Sequence, residues 1–242
     1  MDERPLRPNR LPSLRTPAIG FAHRGASANA QENTLEAFEM ALRLGATGLE
    51  TDAWLTADGE VVLDHDGVLR KGLRRSPIAS VERTALPALV PTLSELYERC
   101  GSNFELSIDV NDEAAFGPIV DTARAAGVEA RLWLCHPSVS VLAEQRAHTT
   151  ARLVNSTRLR FIKEGPERRA ASLAERGIDG CNMHHTDWSG GLTTLFHRFD
   201  RYCLAWDTQF ERAVVDLVRM GIDGVYGDFV DRLMVGIVEA DA

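Results

Sequence analysis

Two carboxylates, Glu50 and Asp52, stand two residues apart in the run Gly-Leu-Glu-Thr-Asp-Ala-Trp-Leu that begins at Gly48. Read as a strand, this run alternates between two faces, with Glu50, Asp52 and Trp54 on one and Leu49, Ala53 and Leu55 on the other. Two acids on one face raise each other's proton affinity unless a cation lies between them. Histidines stand on either side: His23, followed by Arg24 and Gly25, and His65, followed by Asp66. An imidazole with an unperturbed pKa of about 6.5 suits taking and giving protons near neutral pH. The planar guanidinium of Arg24 suits an oxyanion. Each pair alone is ordinary surface chemistry, but together in one strand–helix–strand–turn–strand unit they form a specific pattern.

The elements that must position these groups follow from periodicity. Residues 19–22 are a short apolar strand ending at His23, and Asn33 with Glu36 three residues on reads as a capping box for a helix over 34–44. After Asp58-Gly59 an extra strand over 60–66 carries His65 on a hairpin. Further strands are expected from about 104, 131, 152, 180, 202 and 224, with helices over 93–100, 114–126, 139–147, 166–176, 192–199, 211–220 and 230–238. Eight strands alternating with helices in 242 residues predict a single (β/α)₈ TIM barrel, α/β in class, with a short hairpin extension after the second strand. An open doubly wound sheet fits the alternation too, but its glycine-rich phosphate turn is absent. In the strand from 104, Glu105, Ser107, Asp109 and Asn111 alternate with Phe104, Leu106, Ile108 and Val110. The polar set is expected to face the barrel interior, with Asp109 and Asn111 at the carboxyl end, where barrel sites are built.

This arrangement resembles the glycerophosphodiester phosphodiesterase family. His23-Arg24-Gly25, Glu32-Asn33-Thr34, Glu50-x-Asp52 and His65-Asp66 stand in the family's order, and later motifs continue the match over nearly the whole chain. The resemblance implies the barrel and a hydrolysis of glycerophosphodiesters to sn-glycerol 3-phosphate and an alcohol. It implies His23 and His65 as the acid–base pair, with attack by the substrate's own neighbouring hydroxyl to give a cyclic phosphate that water then opens. It places one divalent cation, Mg²⁺ or Ca²⁺ with Mn²⁺ as a further candidate, on Glu50, Asp52 and Asp109. Three carboxylates without a cysteine or histidine cluster suit such a hard ion. Arg24, Asn111 and Trp206 become the substrate and phosphate contacts. Two departures stand out: Asp109 replaces the usual glutamate, and Asn111 replaces the usual phosphate-contacting lysine, which removes a positive charge. The family's longer insertion is short here, over residues 67–91. That segment holds Arg70, Lys71, Arg74 and Arg75, read either as a solvated basic loop or as a rim that attracts anionic diesters or lipid headgroups.

Two other functions stay open: a phospholipase D-like enzyme of the sphingomyelinase D or lysophospholipase D type, and a non-catalytic barrel that binds phosphodiesters. The composition, 44% hydrophobic and 26% charged, is that of a globular protein, and the net charge of −8 argues against a nucleic-acid partner. No segment approaches the roughly 20 apolar residues of a membrane helix. Residues 1–17 are charged and proline-punctuated and read as a tail before a domain over 18–242. Cys100, Cys135, Cys181 and Cys203 lack metal-ligand spacing and read as reduced thiols of a cytoplasmic protein. His136, His184 and His185 sit at strand ends, as satisfied polar groups or substrate contacts, whereas His148 and His197 are expected to be exposed on helices. The partner is a small phosphodiester; no oligomeric state follows.

Overall fold

A computed structural model describes residues 10–72 and 74–241. Strands β1 (Ile19–Ala22), β2 (Gly48–Leu55), β3 (Val61–Leu63), β4 (Val68–Lys71), β5 (Arg74–Pro77), β6 (Glu105–Val110), β7 (Leu132–His136), β8 (Arg152–Thr157), β9 (Gly180–His184), β10 (Tyr202–Trp206) and β11 (Gly224–Gly227) are joined by helices. These are α1 (Leu35–Arg43), α2 (Leu93–Cys100), α3 (Phe116–Ala125), α4 (Val139–Gln145), α5 (Pro166–Glu175), α6 (Gly190–His197), α7 (Glu211–Arg219) and α8 (Val230–Asp241). Among the described residues, eight strands pair in parallel in the order β1-β2-β6-β7-β8-β9-β10-β11, and β11 returns to β1. The ring is a closed (β/α)₈ barrel. β3 pairs antiparallel with β2 outside it, through Ala53 with Leu63.

The alternation expected of β2 and β6 sets the interior. Their register places Asp52 directly opposite Asp109 and Glu50 opposite Ser107. Below them Ile19, Phe21, Trp133, Cys135, Val154, Leu204 and Tyr226 fill the barrel. The Phe21 and Tyr226 rings stack at 4.6 Å, and the Tyr226 hydroxyl lies 3.0 Å from Ser107 Oγ. This packed layer is the floor of the site. A larger core joins the outer strand faces to the helices.

Four details differ from the expectation. Thr34, not Asn33, caps α1 by accepting from the Ala37 N–H at 3.2 Å. Asn33 instead takes a left-handed backbone (φ +53°), and its Oδ1 accepts from the Thr51 hydroxyl at 2.7 Å. The aperiodic segment 67–91 forms an antiparallel ribbon of β4 and β5 with two short 3₁₀ turns, Ile78–Ser80 and Arg83–Ala85. It is anchored by Leu69, Ile78 and Leu86 on Val62 and Trp54. His197 is not exposed: its Nε2 lies 2.8 Å from Asp223 Oδ2, and the side chain is 10% accessible. Asp223 is fully buried and also accepts from the backbone N–H groups of Cys203, Leu14 and Arg15. Residues 10–15 therefore lie against the amino end of the barrel, where Leu11 N–H also donates to Arg219. The four cysteines are unpaired, and three of them are buried.

Candidate active site

His23 sits just beyond β1, where Arg24 and Gly25 turn the chain toward α1. Arg24 holds a left-handed backbone (φ +53°) because its N–H donates to Glu50 Oε2 at 2.9 Å and its carbonyl accepts from the Asn33 N–H at 3.0 Å. Gly25 has φ +81°, and a Cβ there would lie 2.7 Å from the Ala37 backbone. The third residue of the His-Arg-Gly run thus has a steric cause.

The His23 Nδ1–H donates to Asp228 Oδ1 at 2.7 Å, which leaves Nε2 facing Glu50 Oε2 at 3.9 Å. Asp228 is itself braced, by the Ser27 hydroxyl at 3.1 Å and the Gln209 amide at 2.9 Å. Burial alone would lower the His23 pKa, but Glu50 and Asp228 outweigh it and raise it to about 9. The hydrogen bond from His23 holds the Asp228 carboxyl below its usual range.

Glu50, Asp52 and Asp109 converge, each offering an oxygen within 4.8 Å of the others. Burial, and then mutual repulsion, pushes the Glu50 and Asp109 carboxyls well above the ordinary range, and burial raises Asp52 as well. One Asp52 oxygen accepts from the Asn111 amide at 3.1 Å. The other is buried and accepts no hydrogen bond; it forms an ion pair at 3.4 Å with Arg24 Nε, which likewise donates none. A bare buried carboxylate oxygen beside two further acids is what a hard oxygen-seeking cation would satisfy. The residues present fit such an ion.

A cavity of about 560 Å³ opens above the floor, lined by His23, Arg24, Glu50 and Asp109 on one side and by Asn182, Arg158 and Trp206 on the other. Of the residues expected here, His23, Arg24, Glu50, Asp52, Asp109 and Trp206 come together. Asn111 turns to Asp52 rather than lining the cavity. His65 stands half exposed on the hairpin with Nδ1 3.1 Å from Asp66, close enough to Asp52 for its charge to be felt there. At the rim, His184 Nε2 lies 3.1 Å from Asp207, and the His184 and Trp206 rings meet edge to face at 4.6 Å. Burial, then His184, lowers the His185 pKa.

Asp228 and Arg158 join the site with no motif to mark them in the sequence, and Gln209 and Asn182 stand out there only as strand-end residues. Asp228 was within reach of it, since Gly224, Tyr226 and Asp228 share the inward parity of the last strand.

The fold and its polar mouth place the chain among the α/β-barrel enzymes that work on charged small molecules at the carboxyl ends of their strands. The sequence pattern of the glycerophosphoryl diester phosphodiesterase family matches residues 23–232, and the chain belongs to that family. It is accordingly a phosphoric diester hydrolase. A glycerophosphodiester phosphodiesterase of Bacillus altitudinis is 24% identical over 237 residues, covering 88% of this chain and 95% of the relative. Among solved structures, the glycerophosphodiester phosphodiesterase of Thermotoga maritima superposes with a TM-score of 0.77 at 21% identity, covering 90% of this chain and 97% of that one. A phosphodiesterase of Oleispira antarctica, solved in complex with the product sn-glycerol-3-phosphate, superposes at 0.75 with 20% identity, covering 91% and 96%.

Proposed function

We propose that the protein hydrolyses glycerophosphodiesters to sn-glycerol 3-phosphate and an alcohol, with one divalent cation (Mg²⁺, Ca²⁺ or Mn²⁺) held by Glu50, Asp52 and Asp109. The observation that carries this reading is the meeting of those three carboxylates, two of them buried and one Asp52 oxygen without a hydrogen bond, with an imidazole braced by Asp228. Family membership supports the substrate class, and the product bound to the Oleispira enzyme is the one expected here. When bound, the cation neutralises charge on a phosphoryl oxygen.

The chain's own groups do the rest. Arg24 Nε, paired with Asp52 by charge but without a hydrogen bond, offers a donor to a phosphoryl oxygen. Asp228 fixes the His23 ring so that Nε2 is the nitrogen that exchanges a proton. His65, on a separate hairpin, is the second proton carrier. One histidine takes the proton of the substrate hydroxyl adjacent to the phosphoester, and the other returns one to the leaving alkoxide. The oxygen–phosphorus bond formed closes a cyclic phosphate as the bond to the alcohol breaks. Water then opens the ring with the histidine roles reversed. Asn111 holds Asp52 in place, so the phosphate keeps one cationic side chain fewer than the family's usual arrangement.

An internal hydroxyl gains an effective molarity that reaches about 10⁵ M or more. The protein should therefore cleave glycerophosphocholine far faster than bis(p-nitrophenyl) phosphate and release a transient species with a cyclic-phosphate ³¹P shift. Equal rates on glycerophosphocholine and its 2-deoxy analogue would rule out the cyclic route.

A further inference from the structure

Opposite the acidic pole, the cavity wall carries a polar group that the proposed reaction does not use. Asn182 lies on β9, which is the fourth strand around the ring from β2 in either direction. It is 5% exposed and lines the cavity, yet its Oδ1 is buried and finds no hydrogen-bond partner. A buried amide left bare costs free energy, and the great majority are satisfied. Its neighbours narrow what satisfies it. Ser156, its register partner on β8, lines the same cavity and adds a hydroxyl. Leu204, its register partner on β10, is apolar and buried. Trp206 supplies a flat wall above. A carboxamide offers an acceptor and N–H donors in one plane, a fork matched by two adjacent hydroxyls, each of which donates and accepts.

We infer that Asn182 and Ser156 form a subsite for a diol: a hydroxyl-bearing arm of the substrate that reaches across the mouth from the phosphate. This rests on the phosphodiesterase reading for the position of the phosphate. The arm is either the glycerol or the alcohol, and two pairs of compounds separate them. Calorimetry with Mg²⁺ present compares sn-glycerol 3-phosphate with n-propyl phosphate, which lacks both hydroxyls. Steady-state turnover compares glycerophosphoinositol with glycerophosphoethanol.

Discrimination of about 10-fold or more in the first pair assigns the glycerol arm; discrimination confined to the second assigns the alcohol arm. In either case Asn182→Leu should abolish it, weakening the hydroxyl-bearing member of the pair far more than the member that lacks the hydroxyls. Asn182→Ala carries the same expectation if the leucine variant does not fold. Wild-type protein that treats the members of both pairs alike, or variants that keep the discrimination, would overturn the subsite. Failure of the phosphodiesterase reading looks different: no diester is turned over with any cation, while the calorimetric pair still reports on Asn182.

Discussion

In the proposed reaction the chemistry turns on the imidazole of His23, whose orientation is set by Asp228 rather than by Arg24 beside it. Asp228 is bound on both oxygens, to His23 and Ser27 through one and to Gln209 through the other, so it cannot swing away. Replacing His23 with alanine is expected to lower kcat/KM by about 10²–10⁴-fold with the fold intact. Asp228→Asn should lower kcat by at least about 10-fold, less than His23→Ala, with KM nearly unchanged, because the ring loses its fixed tautomer and not a substrate contact. Steady-state kinetics on the two variants check this order, and a silent Asp228→Asn would reduce that carboxylate to a fold element. His65→Ala should also fall on the His23 scale. Near-normal rates in that variant would leave the hairpin with no part in proton transfer.

At the level of elements, the loops at the amino end are tied by carboxylates, and one of them gives acid sensitivity a defined place. Glu129 accepts from Arg124, from the Thr149 hydroxyl and from the Thr150 N–H, joining the α3–β7 connection to the α4–β8 connection. Burial would raise its pKa, but the Arg124 hydrogen bond and the two threonine donors hold it down to about 2. A carboxyl depressed in the folded state contributes fully above its unfolded pKa of about 4.5 and loses that contribution as pH falls toward 2. Urea midpoints should therefore be lower for Glu129→Gln than for wild type at pH 7. The gap should shrink as pH is lowered from about 4.5, and a constant gap would refute the assignment. The barrel strands themselves were legible, since inward acids alternate with outward apolar residues in β2 and β6. The same parity in β9, and one residue past β11, gives Asn182 and Asp228 no distinct signal, because strands of five and four residues have too few alternations to stand out. The β4–β5 ribbon was illegible for another reason: its residues face mostly solvent, so no apolar period marks it. Asn33 and Thr34 were both able to cap α1, and the distant hydroxyl of Thr51 decided between them.

For the molecule as a whole, the closed ring separates stability from chemistry: the carboxyl ends hold the site and the amino ends are sealed. The seal includes residues that read as a tail in the sequence. Asp223 takes two of its four hydrogen bonds from Leu14 and Arg15, so deletion of residues 1–17 leaves one of its buried oxygens bare. Each such loss costs about 1–3 kcal/mol, which in a chain of this size lowers Tm by about 2–4 °C per kcal/mol. A drop of several degrees with unchanged kcat is expected from calorimetric melts and assays of the truncated chain. An unshifted Tm would show that the domain is self-sufficient from residue 18. Among the described residues no helix is long and apolar enough to cross a membrane.

In the proposed reaction the three convergent carboxylates hold a cation that turnover needs, and release of sn-glycerol 3-phosphate from glycerophosphocholine reports on it. Purified protein stripped with a chelator should release none. Added Mg²⁺, Ca²⁺ or Mn²⁺ should restore turnover in wild type but not in the Glu50→Gln/Asp109→Asn double variant. Undiminished release by the stripped wild type, or by the double variant, would show that turnover needs no cation on these carboxylates.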